Sequence, residues 1–210
     1  MKHLITLSLL VVFSFNTWAD TKQETGLWLG YFNNHEYSSK QSFWFETQLR
    51  HNLTQSQMNQ TLVRFGILHT LNSQQKIGIL GAYVDSDAFK EYRLAFQHQM
   101  TVIPMVLSLR QRLEFRDVED INANSIRYRL LLRNEKYRIA EKQIVVWNEA
   151  FINLTHEEWT GSRVFERNRF FIGPKFEFQT FNLEVGYLNQ FIPRTSRSTM
   201  EHLLTAYLFF

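Results

Sequence analysis

The chain has 210 residues, of which 44% are hydrophobic and 15% aromatic, with a formal net charge of +3 and no cysteine. That length suits one domain, the near-even charge argues against a nucleic-acid partner, and the missing cysteine excludes both disulfide staples and a lipid-modified N-terminal Cys. Phe alone occurs 19 times, yet past residue 19 no apolar run reaches the roughly 20 residues of a spanning helix.

Lys2 and His3 precede an apolar run over 4–15, and Asn16, Thr17, Trp18 and Ala19 form a polar-to-small exit. This is the pattern of a secretory signal peptide cleaved after Ala19, since the run is too short to cross a bilayer as a helix. Removing Lys2 leaves a net charge of +2 on residues 20–210. That remainder shows no linker, low-complexity tract or long-period repeat and reads as a single domain.

From there the chain alternates at period two. Leu27, Leu29 and Tyr31 oppose Trp28, Gly30 and Phe32; Phe43, Phe45, Thr47 and Leu49 oppose Trp44, Glu46, Gln48 and Arg50; Val63, Phe65, Ile67 and Leu71 oppose Leu62, Arg64, Gly66 and Leu68. A turn over 72–75 leads into 76–84, and Tyr92, Leu94, Phe96 and Met100 then oppose Glu91, Arg93, Ala95 and Gln97. The pair of runs 105–116 and 125–133 is the most informative. Met105, Leu107, Leu109, Leu113 and Phe115 stand against Ser108, Arg110, Arg112, Glu114 and Arg116, and Ile126, Tyr128, Leu130 and Leu132 against Arg127, Arg129 and Arg133. A helix would scatter these arginines round its circumference, whereas a strand puts them on one face.

Ile144, Val146, Ala150 and Ile152 then face away from Val145, Trp147, Glu149 and Phe151; Phe170, Ile172, Phe176 and Phe178 away from Arg167, Arg169, Phe171, Gly173 and Lys175. Leu183, Val185 and Tyr187 follow, and Leu204, Ala206, Leu208 and Phe210 close the chain. Aliphatic side chains on one face and arginines on the other describe a barrel in lipid, outside apolar and inside charged. The expected fold is all-β: an antiparallel transmembrane barrel over 20–210, in the outer membrane, monomeric.

Eleven segments are visible, but outer-membrane barrels of this kind have even strand counts with both ends on the periplasmic side, so ten or twelve strands are expected. Either 76–84 or the first segment is then misassigned, or 163–178 breaks at Pro174, where a residue without an N–H calls for a bulge or strand end. The longer polar connections, 52–60, 117–124, 154–162 and 192–198, are expected outside the cell and the tighter turns on the periplasmic side.

Several short motifs share an order with a known family: Trp28-Leu29-Gly30-Tyr31-Phe32, Glu46 with Arg50, the run from Arg110 through Arg112 and Glu114 to Arg116, Arg127 with Arg129, Asn148-Glu149 with Phe151, and Arg167-Asn168-Arg169. In these the chain resembles domain of unknown function 2490, a family of small predicted outer-membrane proteins. The resemblance implies a location and a barrel, and it implies no activity. The ending Leu204, Ala206, Leu208, Phe210 likewise looks like the signal by which the barrel assembly machinery selects its substrates.

The candidate site is the interior charge set: Glu46, Arg50, Arg64, Glu91, Arg93, Arg110, Arg112, Glu114, Arg116, Arg127, Arg129, Arg133, Glu149, Arg167 and Arg169, with Glu177 and Glu184 as further inward carboxylates. If the central hairpin turns midway between Arg116 and Ser125, Glu114 stands opposite Arg127 and Arg112 opposite Arg129. Interlocked Arg and Glu can simply fill a narrow lumen. The excess of arginine also admits a pocket for a small anionic ligand or a narrow anion-selective channel.

An enzyme is the remotest reading. Small outer-membrane barrels that act on lipids resemble one another in a His and Ser two apart, and none of the seven His has that neighbour; His69-Thr70 is the nearest approximation. His156-Glu157-Glu158 would be solvated in a polar loop rather than hold a metal. No Gly-rich phosphate loop occurs, and no cofactor is expected. The partners implied are outer-membrane lipid and the assembly machinery.

Overall fold

The computed structural model describes residues 21–54, 57–121, 123–155, 157–160 and 163–210. The proposed signal peptide over 1–19 lies outside the described residues. Strands β1 (Lys22–Ser38), β2 (Gln41–Asn52), β3 (Gln57–Asn72), β4 (Gln75–Ser86), β5 (Lys90–Ile103), β6 (Leu107–Val118), β7 (Ser125–Ile139), β8 (Lys142–Asn153), β9 (Phe165–Glu177), β10 (Asn182–Ile192) and β11 (Thr199–Phe209) close into one barrel. Each strand pairs antiparallel with the next, and β1 closes on β11.

Among the described residues the strands number eleven, not ten or twelve. Both suspect segments, the first and 76–84, are strands, and β9 runs unbroken through Pro174. An odd count closes because β1 and β11 run parallel, in register from Lys22↔Thr199 to Phe32↔Phe209. Closure requires only that the two edge strands satisfy each other's N–H and C=O groups, which either direction can do. The seam continues past the ladder: Phe210 N donates to Phe32 O at 2.9 Å and Asn34 N to Phe210 O at 3.1 Å. As a consequence β1 starts at one rim and β11 ends at the other. The first rim carries the connections 53–56, 87–89, 119–124, 154–164 and 193–198, and the second carries 39–40, 73–74, 104–106, 140–141 and 178–181. They are called the long-loop and short-turn rims below.

Three local expectations are corrected. The connection 52–60 shrinks to 53–56, because β2 extends to Asn52 and β3 begins at Gln57. Met105 belongs to a turn rather than to a strand face: Val106 N reaches Ile103 O at 3.1 Å, and Pro104 followed by Met105 at φ 59° fits a turn with a positive φ at its third residue. At Pro174 no bulge forms. The β9–β10 ladder keeps one register on both sides, Glu184↔Lys175 and Tyr187↔Ile172, and omits the two pairs between them. There Gly173 and Gly186 let the backbones close up, since a Cβ on Gly173 would stand 2.2 Å from Val185 O.

The barrel is inverted relative to a soluble domain. Its largest fully buried side chains include Arg64, Arg112, Glu46, Glu91, Glu114 and Glu184. Phe65, Ile67, Ile79 and Leu204 point outward, each more than half exposed. Among the described residues, buried apolar side chains gather in one cluster of Trp28, Val145, Trp147, Phe171, Leu188, Leu203 and Tyr207 and a smaller one of Leu68, Leu80 and Ala95, with Phe151, Leu62, Val84 and Val118 buried apart from them. On the outer surface the few polar groups satisfy one another: Tyr128 Oη donates to Gln111 Oε1 at 2.7 Å, Gln111 lies 3.4 Å from His98 Nδ1, and His202 bridges Tyr187 and Gln23.

The two-residue turn between β7 and β8 has Ala140 at φ 47° and Glu141 at φ 65°. Two positive φ values are what a hairpin turn of this length needs, and Asn-Gly supplies them with little strain while Ala-Glu does not. The double change Ala140→Asn with Glu141→Gly is expected to raise unfolding stability by roughly 1–2 kcal/mol, measured by equilibrium urea unfolding. An unchanged or lowered midpoint would contradict the turn assignment.

Candidate functional site

Alternation along β2, β3 and β5 to β9 brings every one of the charged residues singled out above, from Glu46 to Arg169, to the interior. In the central hairpin the ladder pairs Glu114 with Arg127 and Arg112 with Arg129. Glu114 is completely buried and is the hub. It accepts from Arg127 Nη2 at 2.5 Å and Arg129 Nη1 at 2.7 Å, while Arg64 Nη2 lies 3.6 Å and Arg112 Nη1 3.8 Å away. One carboxylate thus stands among four guanidiniums.

Glu149 forms the second node. It accepts from Arg129 Nη2 at 2.7 Å and Arg110 Nη2 at 3.1 Å, with Arg169 Nη1 at 3.6 Å. Nearer the long-loop rim, Glu91 receives both Arg93 Nε and Nη2, at 2.8 and 2.6 Å, and a bond from Arg116. Toward the short-turn rim, Arg133 binds Glu184 and Glu135. Amides and rings complete the layer: Arg64 Nη1 and Gln48 Nε2 both reach Glu46 Oε1 at 2.6 Å, and Gln97 accepts from Arg112. Phe151 has Arg127, Arg129, Arg167 and Arg169 within 5.7 Å of its ring centre. Arginines can share so narrow a volume because a planar guanidinium presents edge donors to carboxylates and a face to an aromatic ring.

Two residues depart from the alternation rule. Glu177 was expected inside; its side chain is 64% exposed at the end of β9, where it meets Lys175 at 3.1 Å. Glu166 should face outward as the neighbour of Arg167, yet it accepts from Arg127 Nη1 at 2.9 Å and Arg167 Nη2 at 2.6 Å. A bulge explains this: the β8–β9 register slips between Phe151↔Arg167 and Ile152↔Phe165, and the extra residue turns inward. No sequence signal marks that slip. Gln48, Gln97, Trp28 and Phe151 are also part of the site, and their place on the inward face of their strands could have identified them.

The layer divides the lumen. On the short-turn side lies a chamber of about 530 Å³, lined by rings such as Trp28, Trp44, Trp147 and Phe209 and by the cations Lys76, Arg110, Arg133 and Lys175. On the long-loop side is a space of only about 50 Å³. Gln48, Arg129 and Arg169 line both and so form the partition between them. Counting the whole interior network among the described residues, eleven guanidiniums face nine carboxylates, Glu24, Glu46, Glu91, Glu114, Glu135, Glu149, Glu166, Glu184 and Glu201.

The other sequence candidates lie apart from this network. His69 is on β3, paired across the outer surface with Ile77 and Gln41. His156 falls outside the described residues, and among those described no three His, Asp or Glu side chains converge on a metal-sized site. Leu204, Ala206 and Leu208 pair with Leu27, Leu29 and Tyr31 along the seam, and the Phe210 ring packs 5.1 Å from Tyr31 and 5.5 Å from Phe181.

Residues 25–201 match the family described as Protein of unknown function (DUF2490), and the chain belongs to that family. Neither a curated protein nor a solved structure matched the chain.

Glu114 and Arg112 differ in what their loss leaves behind. Glu114→Gln strands several buried guanidiniums around a neutral group, whereas Arg112→Gln removes a guanidinium that donates to the neutral Gln97 through both Nε, at 2.9 Å, and Nη2. Leaving a buried charge without its partner costs about 3–5 kcal/mol. Chemical unfolding should therefore show Glu114→Gln destabilised by about that amount and by more than Arg112→Gln. Adding Arg127→Gln to Glu114→Gln should restore part of the loss, and a strictly additive double variant would contradict the hub.

Proposed function

We propose that this member of the family is an outer-membrane barrel with a lumen closed to ion flow, and that it works as a binding vessel rather than as a pore or an enzyme. Its outer surface is a band of Leu, Ile and Phe around a charged interior, which is the arrangement lipid selects and water penalises. A monomer anchored by that band, delivered by the barrel assembly machinery through its last strand, is the reading that the sequence and the fold jointly support.

The partition carries the functional part. Gln48, Arg129 and Arg169 stand between the two internal spaces, and each is tied down: Gln48 to Glu46, Arg129 to Glu114 and Glu149, Arg169 to Gln190 at 2.6 Å. A pathway for ions would have to break these bonds. The larger chamber is of a size that takes a small organic molecule. Its mixture of aromatic walls and cations suits a ligand with an apolar body and a negative group. The runner-up is a narrow anion path, favoured by the surplus of guanidiniums over carboxylates.

Cell fractionation should recover the protein in the outer membrane with a gel mobility that changes on boiling. In planar bilayers the wild type should conduct no more than a protein-free bilayer, while Arg129→Ser combined with Arg169→Ser, which removes the partition, should open measurable steps. A soluble periplasmic location would overturn the membrane reading. A wild-type anion current of defined steps would replace the closed vessel with the channel.

A further inference from the structure

The small space on the long-loop side is lined mainly by arginine. Arg129 and Arg169 form its floor, and Arg50, Arg64, Arg93, Arg116, Arg127 and Arg167 stand round it; the remaining lining is amide or apolar, with no carboxylate. The carboxylates that pair with seven of these guanidiniums all lie outside that lining. They number five, Glu46, Glu91, Glu114, Glu149 and Glu166, and two of them are shared with Arg110 and Arg112. Arg50 has no carboxylate partner among the described residues; it donates to Gln60 at 2.6 Å and Gln48 at 3.1 Å and lies over the Trp28 ring at 3.8 Å.

Three donors in this set are buried with no hydrogen-bond partner: Arg50 Nε, Arg64 Nη2 and Arg116 Nη1. Arg64 and Arg116 are 2% and 5% exposed. The nearest carboxylate oxygens to the two orphan Nη atoms, on Glu114 and Glu166, are 3.6 and 3.9 Å away, beyond hydrogen-bond reach. Buried charged donors are ordinarily satisfied, and orphaned ones at a concave site call for a partner. Arg116 is also held from outside the space: it stacks on Trp159 at 4.7 Å, and Trp159 is itself fixed by donation to Ala123 O at 3.1 Å.

We propose that this arginine-lined space is a binding site for one tetrahedral oxyanion, a phosphate group. The volume of about 50 Å³ corresponds to roughly three to five water positions at about 10–15 Å³ each, a range that includes the four oxygens of such an ion. Planar guanidiniums pair with two oxygens of a phosphate at once, and fixed donors need no reorganisation to do so. A dianion would offset most of the positive surplus that five carboxylates leave on eight arginines. The same chemistry is met by free inorganic phosphate and by the phosphate of a lipid headgroup entering over the long-loop rim. The inference rests on the barrel interior alone, independent of membrane location and of whether the lumen conducts.

The test is calorimetric titration of the full chain, purified in a non-ionic detergent, with inorganic phosphate, with chloride at matched ionic strength, and with short-chain phosphatidic acid. Saturable 1:1 binding of phosphate and none of chloride is expected. Arg50→Gln and Arg167→Gln, at the edge of the network, should each weaken it at least about tenfold, the usual scale for one hydrogen bond to a charged group. Binding of phosphatidic acid but not of inorganic phosphate would support the site with a lipid as its source. Equal heats from phosphate and chloride together with no binding of phosphatidic acid would overturn the proposal, as would wild-type affinity for the bound phosphate compound in both variants. Should a variant fail to fold, the comparison of phosphate and phosphatidic acid against chloride on the wild type still decides.

Discussion

The structure depends on keeping charged side chains hydrogen-bonded inside a narrow barrel. A guanidinium out of water is tolerable only with partners for its donors, and this barrel meets that demand by sharing. Glu114 serves Arg127 and Arg129 directly and has Arg64 and Arg112 beside it. Sharing is what makes Glu114 irreplaceable and single arginines less so. It also leaves the positive surplus that, concentrated on the long-loop side, becomes the candidate oxyanion site. Filler and function are thus two aspects of one network, since the carboxylates that hold the layer together lie outside the lining that the arginines give the open space.

The period of two carries this arrangement from sequence to surface. Each residue sent inward by a strand sends its neighbours outward, so the charged lumen and the apolar exterior are one pattern read on two faces. Arg112 and Arg129 illustrate the constraint. They face each other with like charge, a pairing that would repel on its own, and the ladder tolerates it because Gln97 takes Arg112 while Glu114 and Glu149 take Arg129. A slip of one residue would put both on the outer surface and the leucines inside.

Much of this was legible in the chain. Eleven alternating segments can be counted, and the register of the central hairpin follows from the midpoint between Arg116 and Ser125. What could not be read is long-range or irregular. The parallel β1–β11 seam pairs residues at opposite ends of the chain, and no local pattern says in which direction two edge strands will meet. The bulge at Phe165 to Arg167 is a local slip that turns Glu166 inward against the alternation, and Pro174 misleads because the gap it needs is made by Gly173 and Gly186 rather than by a bulge. The partition by Gln48, Arg129 and Arg169 depends on three strands closing in space.

The central claim is that the apolar face of this inverted barrel meets lipid. The chain has no cysteine, so single nitroxide labels can be placed at outward Ile77, Ile79, Leu94 and Phe96, with one in the 193–198 connection as a water-exposed reference. In proteoliposomes the account predicts that the four outward labels collide freely with dissolved oxygen and hardly at all with a water-soluble nickel complex, while the reference label shows the reverse. Outward labels as open to the nickel complex as the reference would contradict it.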